Sequence, residues 1–76
     1  MTRKEFIAQY SHDIFQILLA FGYTRAECAS LIEEYKLQID KWAGDRPSAG
    51  PILTEAMAAR MIRQQEHAKI GENILL

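Results

Sequence analysis

The chain has 76 residues, of which 49% are hydrophobic and 25% are charged. A chain of this length forms one domain with a small core, so we expect a single domain over residues 1–76. The formal net charge of −1, from nine Lys and Arg against ten Asp and Glu, excludes a strongly basic nucleic-acid binder, and a lone Cys28 excludes an intramolecular disulfide.

The first predicted helix covers residues 3–21. Thr2-Arg3-Lys4-Glu5 has the form of a capping box, in which the Thr hydroxyl and the Glu carboxylate each accept a hydrogen bond from a free backbone N–H. Gly22 then ends the helix. The apolar residues recur three or four positions apart, as in an amphipathic helix: Phe6, Ile7, Tyr10, Ile14, Ile17, Leu18 and Phe21.

The second predicted helix covers residues 25–43. Its capping box is Thr24-Arg25-Ala26-Glu27, and only Gly22 and Tyr23 separate it from the first helix. A joint this short predicts a helical hairpin or a helix-turn-helix corner. Leu37 lies off the apolar stripe of this helix, whose members are Cys28, Leu31, Ile32, Tyr35, Ile39 and Trp42.

A loop is predicted over residues 44–50, which contain two glycines and a proline. Pro51 suits the first turn of a helix, because its fixed φ fits there and its missing N–H would have no partner. We therefore predict a third helix over residues 51–70, ended by Gly71. Its sparse apolar residues predict loose docking, and those expected to face inward are Ile52, Leu53, Met57, Met61 and Ala68.

The segment 72–76 ends in three apolar residues, Ile74, Leu75 and Leu76. Two interpretations stay open. These side chains fold back onto the bundle or onto a second subunit of a dimer, or they form an exposed peptide that another protein recognises. The predicted fold is all-α, a small three-helix bundle made of a helical hairpin and a loosely docked third helix. Dimerisation is one way to complete so small a core.

The sequence predicts a cytoplasmic protein. Polar residues such as Gln9 and His12 interrupt the N-terminal segment, which therefore lacks the apolar core of a signal peptide. The most apolar stretch, residues 14–21, is far shorter than the roughly 20 residues that a membrane-spanning helix needs.

The titratable residues form no recognisable catalytic or metal site. His12 and Asp13 are neighbours, so on a helix their side chains point about 100° apart and do not converge. Glu66-His67 lacks the second histidine of the H-E-x-x-H zinc motif. Cys28 lies on an apolar stripe, where a thiol behaves as a small hydrophobe. We therefore expect no catalytic residue, no metal, no cofactor and no enzyme activity.

The first predicted helix carries more apolar surface than a single buried stripe needs. Phe15 and Leu19 lie four residues apart and off its main stripe, so we predict that they contact a protein partner, with Leu37 as a further contact. The alternative, that the rest of the chain covers Phe15 and Leu19, stays open. The predicted function is a helical interaction module, a small accessory or regulatory protein of bacterial or phage type that binds a larger protein or a second copy of itself.

The alternative function is a small nucleic-acid-binding regulator. The second helix is unsuited to this role, because its acidic residues outnumber its basic ones and would repel phosphates. The third helix is better equipped, and the residues that would contact nucleic acid are Arg60, Arg63 and Lys69.

Overall fold

The computed structural model describes the backbone of residues 2–45 and 50–75 and the side chains of residues 2–45 and 50–70. Within these ranges α-helix is the regular secondary structure and no strand occurs, which confirms the all-α prediction. The helices are α1 (Arg3–Ala20), α2 (Arg25–Glu34), α3 (Lys36–Ala43) and α4 (Glu55–Leu75).

The two predicted capping residues begin α1 and α2. The Thr2 hydroxyl accepts a hydrogen bond from the Glu5 N–H at 3.1 Å. At α2 the capping box is complete, because the Glu27 N–H donates to the Thr24 hydroxyl at 3.1 Å and the Thr24 N–H donates to the Glu27 carboxylate at 2.8 Å. Gly22 ends α1 with a φ of 108°, a conformation that favours glycine.

The second predicted helix is divided at Tyr35, so the prediction of three helices is wrong: the described residues form four. Tyr35 has φ −96° and ψ 15°, outside the helical region, and it separates α2 from α3. Its ring is buried and its hydroxyl donates to Glu66 Oε1 of α4 at 2.7 Å. Neither glycine nor proline marks the break, and the apolar stripe continues through it.

The predicted third helix differs from α4 at both ends. Pro51 does not begin it, because the Ile52 and Leu53 N–H groups donate to the Trp42 carbonyl at 2.8 and 3.2 Å and hold this segment against the end of α3. Thr54 caps α4 instead, its hydroxyl accepting from the Met57 N–H at 3.2 Å.

At its other end, α4 continues through Gly71 to Leu75. Glycine adopts helical dihedral angles at a modest cost, and here it does not end the helix. The side chains of the predicted apolar tail, including Ile74 and Leu75, lie outside the described residues, and so do Leu76 and positions 46–49 of the predicted loop.

Helix α1 is central and contacts α2, α3 and α4. Near its start, the Arg3 guanidinium donates to the Gly44 carbonyl at 3.4 Å, so the α2–α3 segment returns antiparallel to α1. Helix α4 runs parallel to α1, since Tyr10 bonds the Leu53 carbonyl just before α4 and the end of α1 lies beside Arg63. The buried core consists of Tyr10, Ile14, Leu18, Cys28, Leu31, Tyr35, Ile39, Ala43, Ala58, Ala59 and Ile62.

The molecule is elongated, with extents of 45 × 21 × 17 Å and a radius of gyration of 13.1 Å, against about 11 Å for a compact chain of this length. The described side chains of α4 beyond Glu66 are all exposed, which indicates that α4 extends past the end of α1. In the ranges that the structure describes, no helix combines the length and the apolar content of a membrane span.

Candidate partner-binding surfaces

The predicted anchors Phe15 and Leu19 lie on the flank of α1 that faces α2. Both are half-buried and pack against the core of the same chain. Phe15 and Ile32 of α2 line a shallow depression of about 390 Å³, whose rim carries polar side chains such as Gln16 and Arg25. This flank therefore presents only part of each apolar side chain to solvent.

Leu37, the third predicted contact, is 77% exposed and lies on α3. It does not line the depression that contains Phe15, so the structure does not gather the three predicted contacts into one site. This high exposure agrees with the sequence pattern, in which Leu37 lies off the apolar stripe of the second predicted helix.

The surface of α4 that points away from the core has a composition that the sequence analysis did not predict. Met57 and Met61, expected to face inward, are 46% and 39% exposed. Among the described side chains of α4, the buried ones are Ala58, Ala59 and Ile62 instead. We call the exposed surface the outer face of α4, and its members, three or four positions apart, are Met57, Arg60, Met61, Gln64 and His67.

The error has a physical cause. Two adjacent alanines let the α4 backbone approach α1 closely, and alanine contributes little to any apolar pattern in a sequence. A helix that packs through Ala58 and Ala59 must turn the opposite side, with Met57 and Met61, toward solvent. The signal that could have found this face was the row formed by Ala58, Ala59 and Ile62.

Two arginines lie at this face, Arg60 on it and Arg63 beside it. The Arg63 guanidinium carbon lies 5.1 Å from the centroid of the Phe21 ring, a cation–π contact that joins α4 to the end of α1. In the part of the chain that the structure describes, no carboxylate lies within ion-pair distance of Arg60 or Arg63. A depression of about 530 Å³ is lined by Phe21, Arg60, Arg63, Gln64 and His67.

Lys69, the third predicted basic contact, has a different environment. Its ammonium pairs with the carboxylates of Glu34 and Glu66, the latter at 2.9 Å, and lies 5.2 Å from the centroid of the Tyr35 ring. The hydrogen bonds to Glu34 and Glu66 raise the pKa of Lys69. Its charge is thus balanced within the molecule, and the structure does not bring it together with Arg60 and Arg63.

The buried titratable groups have structural roles. Burial raises the pKa of Tyr10 to about 12, and its hydroxyl donates to the Leu53 carbonyl at 2.7 Å. Burial also raises the pKa of the Cys28 thiol, which disfavours the nucleophilic thiolate. The pKa of Glu66 is lowered by its hydrogen bonds from Lys69 and Tyr35. Across the described ranges, no three His, Cys, Asp or Glu side chains gather as metal ligands.

Comparison with known proteins gives no relative, since no protein-family model, no curated protein and no solved structure matches the chain.

Proposed function

We propose that this chain is a non-enzymatic α-helical interaction module, an accessory or regulatory protein that binds a protein partner through the outer face of α4. The observation that carries the proposal is the exposed pair Met57 and Met61, one helical turn apart and beside Arg60. An exposed apolar patch with a polar margin is typical of a contact surface.

The composition of this face resembles that of the centre of a protein interface. Methionine, arginine and aromatic residues are enriched there, whereas lysine, aspartate and glutamate are depleted. The outer face of α4 carries two methionines and an arginine and no lysine or acidic residue. Methionine is flexible, so Met57 and Met61 can adapt to the surface of a partner.

A second copy of the chain is a poor partner for this particular face. In a two-fold dimer the same patch of both copies forms the interface, which would bring Arg60 and Arg63 of each copy into one desolvated region. A homodimer, if it forms, is therefore expected to use the exposed Leu37 or the α1–α2 flank with Phe15 and Leu19. We also propose a cytoplasmic location, which agrees with a single buried thiol that needs no oxidising compartment.

Nucleic-acid binding is the second candidate function, and it is favoured by the guanidinium groups of Arg60 and Arg63, which pair with no carboxylate among the described residues. Only two of the three predicted basic residues are available, since Lys69 pairs with Glu34 and Glu66. Two arginines can neutralise only two phosphates, which releases few counterions. DNA-binding proteins with a strong electrostatic contribution make about six to ten phosphate contacts. The protein interaction is therefore the better-supported function.

The test is affinity capture from an extract of the source cells with the tagged protein, with and without nuclease, read by mass spectrometry. A variant carrying Met57→Ser and Met61→Ser removes the apolar part of the outer face. Ala29→Ser, on the exposed side of α2, is the matched control. Circular dichroism must show that all three proteins have the same helicity.

We expect the tagged protein to capture a partner protein in stoichiometric amount, and nuclease treatment should not reduce this capture. The Ala29→Ser control should capture the same partner, and the double methionine variant should not. Capture that needs nucleic acid would replace the proposal with the second candidate function. A partner that is retained by the methionine variant and lost with Leu37→Ser would overturn the assignment to α4.

A further inference from the structure

The depression at the end of α1 gathers positive charge around an aromatic ring. Arg60, Arg63 and His67 lie three to seven residues apart and thus on one side of α4, and Phe21 supplies the apolar wall. All three α4 side chains are exposed, and Phe21 is half-buried. A ligand that enters from solvent therefore meets two guanidinium groups and an imidazole before it reaches the ring.

The guanidinium groups keep their hydrogen-bonding capacity. Among the described residues, neither Arg60 nor Arg63 donates a side-chain hydrogen bond, whereas Arg3 donates to the backbone carbonyls of Asp40 and Gly44. Each guanidinium offers five N–H donors in a fixed plane. The contact between Arg63 and Phe21 restrains the position of the charge while using none of these donors.

We infer that this depression binds the carboxylates of an acidic segment on the protein partner. The inference rests on the proposed function and specifies the chemistry of the partner. Arginine pairs with carboxylates through two parallel hydrogen bonds, which give both strength and orientation. Arg60 and Arg63 together suit two acidic side chains about one helical turn apart.

The surroundings favour an acidic protein segment over nucleic acid. The neighbouring depression, which shares Arg63 and His67, is also lined by the acidic residues Glu27 and Glu66. Each strand of a DNA double helix carries a phosphate about every 3.4 Å along the helix axis, so its charge would continue into this acidic region. A peptide can present two carboxylates here and place apolar side chains against Ile70, which is 56% exposed.

The probe is a short fluorescent helical peptide with two glutamates one turn apart and leucines beside them, and binding is measured by fluorescence anisotropy. The matched control peptide has glutamine in place of both glutamates. A single-stranded DNA oligonucleotide is the third probe. The protein variants are Arg60→Gln, Arg63→Gln and Arg63→Lys, with Lys36→Gln on the exposed surface of α3 as the control for net charge.

We expect the glutamate peptide to bind more tightly than the glutamine peptide, and each arginine-to-glutamine change to weaken binding about tenfold. Arg63→Lys should give an intermediate loss, because it keeps the charge without the planar fork. Lys36→Gln should change the affinity less than about twofold. Equal affinity for both peptides, no binding, or tighter binding to the oligonucleotide would overturn the inference.

The inference and the proposed function fail in different ways. If the captured partner binds the double variant Arg60→Gln/Arg63→Gln as well as it binds the unchanged protein, the acidic-segment inference is wrong and the interaction module stands. If no protein is captured after nuclease treatment, the proposed function is wrong whatever the peptides do.

Discussion

The hydrogen bond between Tyr35 and Glu66 connects the break in the middle of the chain to α4, and removing it should destabilise the fold measurably. Tyr35 is 3% exposed, and its hydroxyl donates to Glu66 Oε1 at 2.7 Å. Tyr35→Phe deletes this hydroxyl while it keeps the buried ring. The change therefore isolates the hydrogen bond from the packing.

The magnitude follows from the exposure of the acceptor. A hydrogen bond to a charged group contributes about 1.5–3 kcal/mol to stability. The Glu66 side chain is 23% exposed, so water can replace part of the lost bond, and we expect a loss of about 1–2 kcal/mol in the free energy of unfolding. For a domain of this size, that loss lowers the melting temperature by roughly 4–16 °C.

The pH dependence has a definite sign. Hydrogen bonds from Lys69 and Tyr35 lower the pKa of Glu66 in the folded state. The stabilisation is therefore fully present above the pKa of an unfolded glutamate, about 4.3, and is lost as the pH falls through the lower pKa of the folded state. The difference between the unchanged protein and Tyr35→Phe should shrink over this acidic range, because a neutral carboxyl is a weaker acceptor.

The assay is thermal unfolding followed by far-UV circular dichroism, at neutral pH and at steps below pH 5. Glu66→Gln serves as the companion variant, since it fixes the acceptor in a neutral form and should remove this part of the acid dependence. A melting temperature of Tyr35→Phe within about 1 °C of the unchanged protein would refute the reasoning. A difference that stays constant into strong acid would refute the role of the Glu66 charge.

Two further predictions concern side chains of the core and its margin. Phe15→Asp together with Leu19→Asp should lower the free energy of unfolding by about 3 kcal/mol or more, because both residues pack against the core. If the double variant keeps its full stability and loses partner binding, that result would instead support the partner role predicted from the sequence. Cys28 is fully buried, so a thiol reagent should label it far more slowly in the native protein than in denaturant, and equally fast labelling would contradict its burial.

Local signals predicted the first half of the fold well. The capping residues Thr2 and Thr24, and Gly22 after α1, act through neighbours in the chain, so their positions alone indicate where α1 and α2 begin and where α1 ends. At the break, by contrast, Tyr35 has a buried ring and a hydrogen bond to Glu66, thirty-one residues away. A periodic apolar stripe carries no information about such a contact.

The start of α4 was missed for a related reason. Thr54 caps the helix but has Met57, not an acidic residue, three positions later, so the capping-box pattern is incomplete. Pro51 offered a stronger local signal. The hydrogen bonds from the Ile52 and Leu53 N–H groups to the Trp42 carbonyl override it, and they form only when α3 and this segment are already packed together.

The misassigned face of α4 links the fold to the proposed function. Because Ala58 and Ala59 pack against the rest of the chain, Met57 and Met61 stay 46% and 39% exposed, so a little under half of the roughly 1.5–3 kcal/mol available from burying such a side chain remains unrealised. A partner that covers the outer face of α4 can recover that free energy without altering the core. Two residues that the apolar pattern assigned to the interior, Met57 and Met61, therefore become further buried when a partner covers this face.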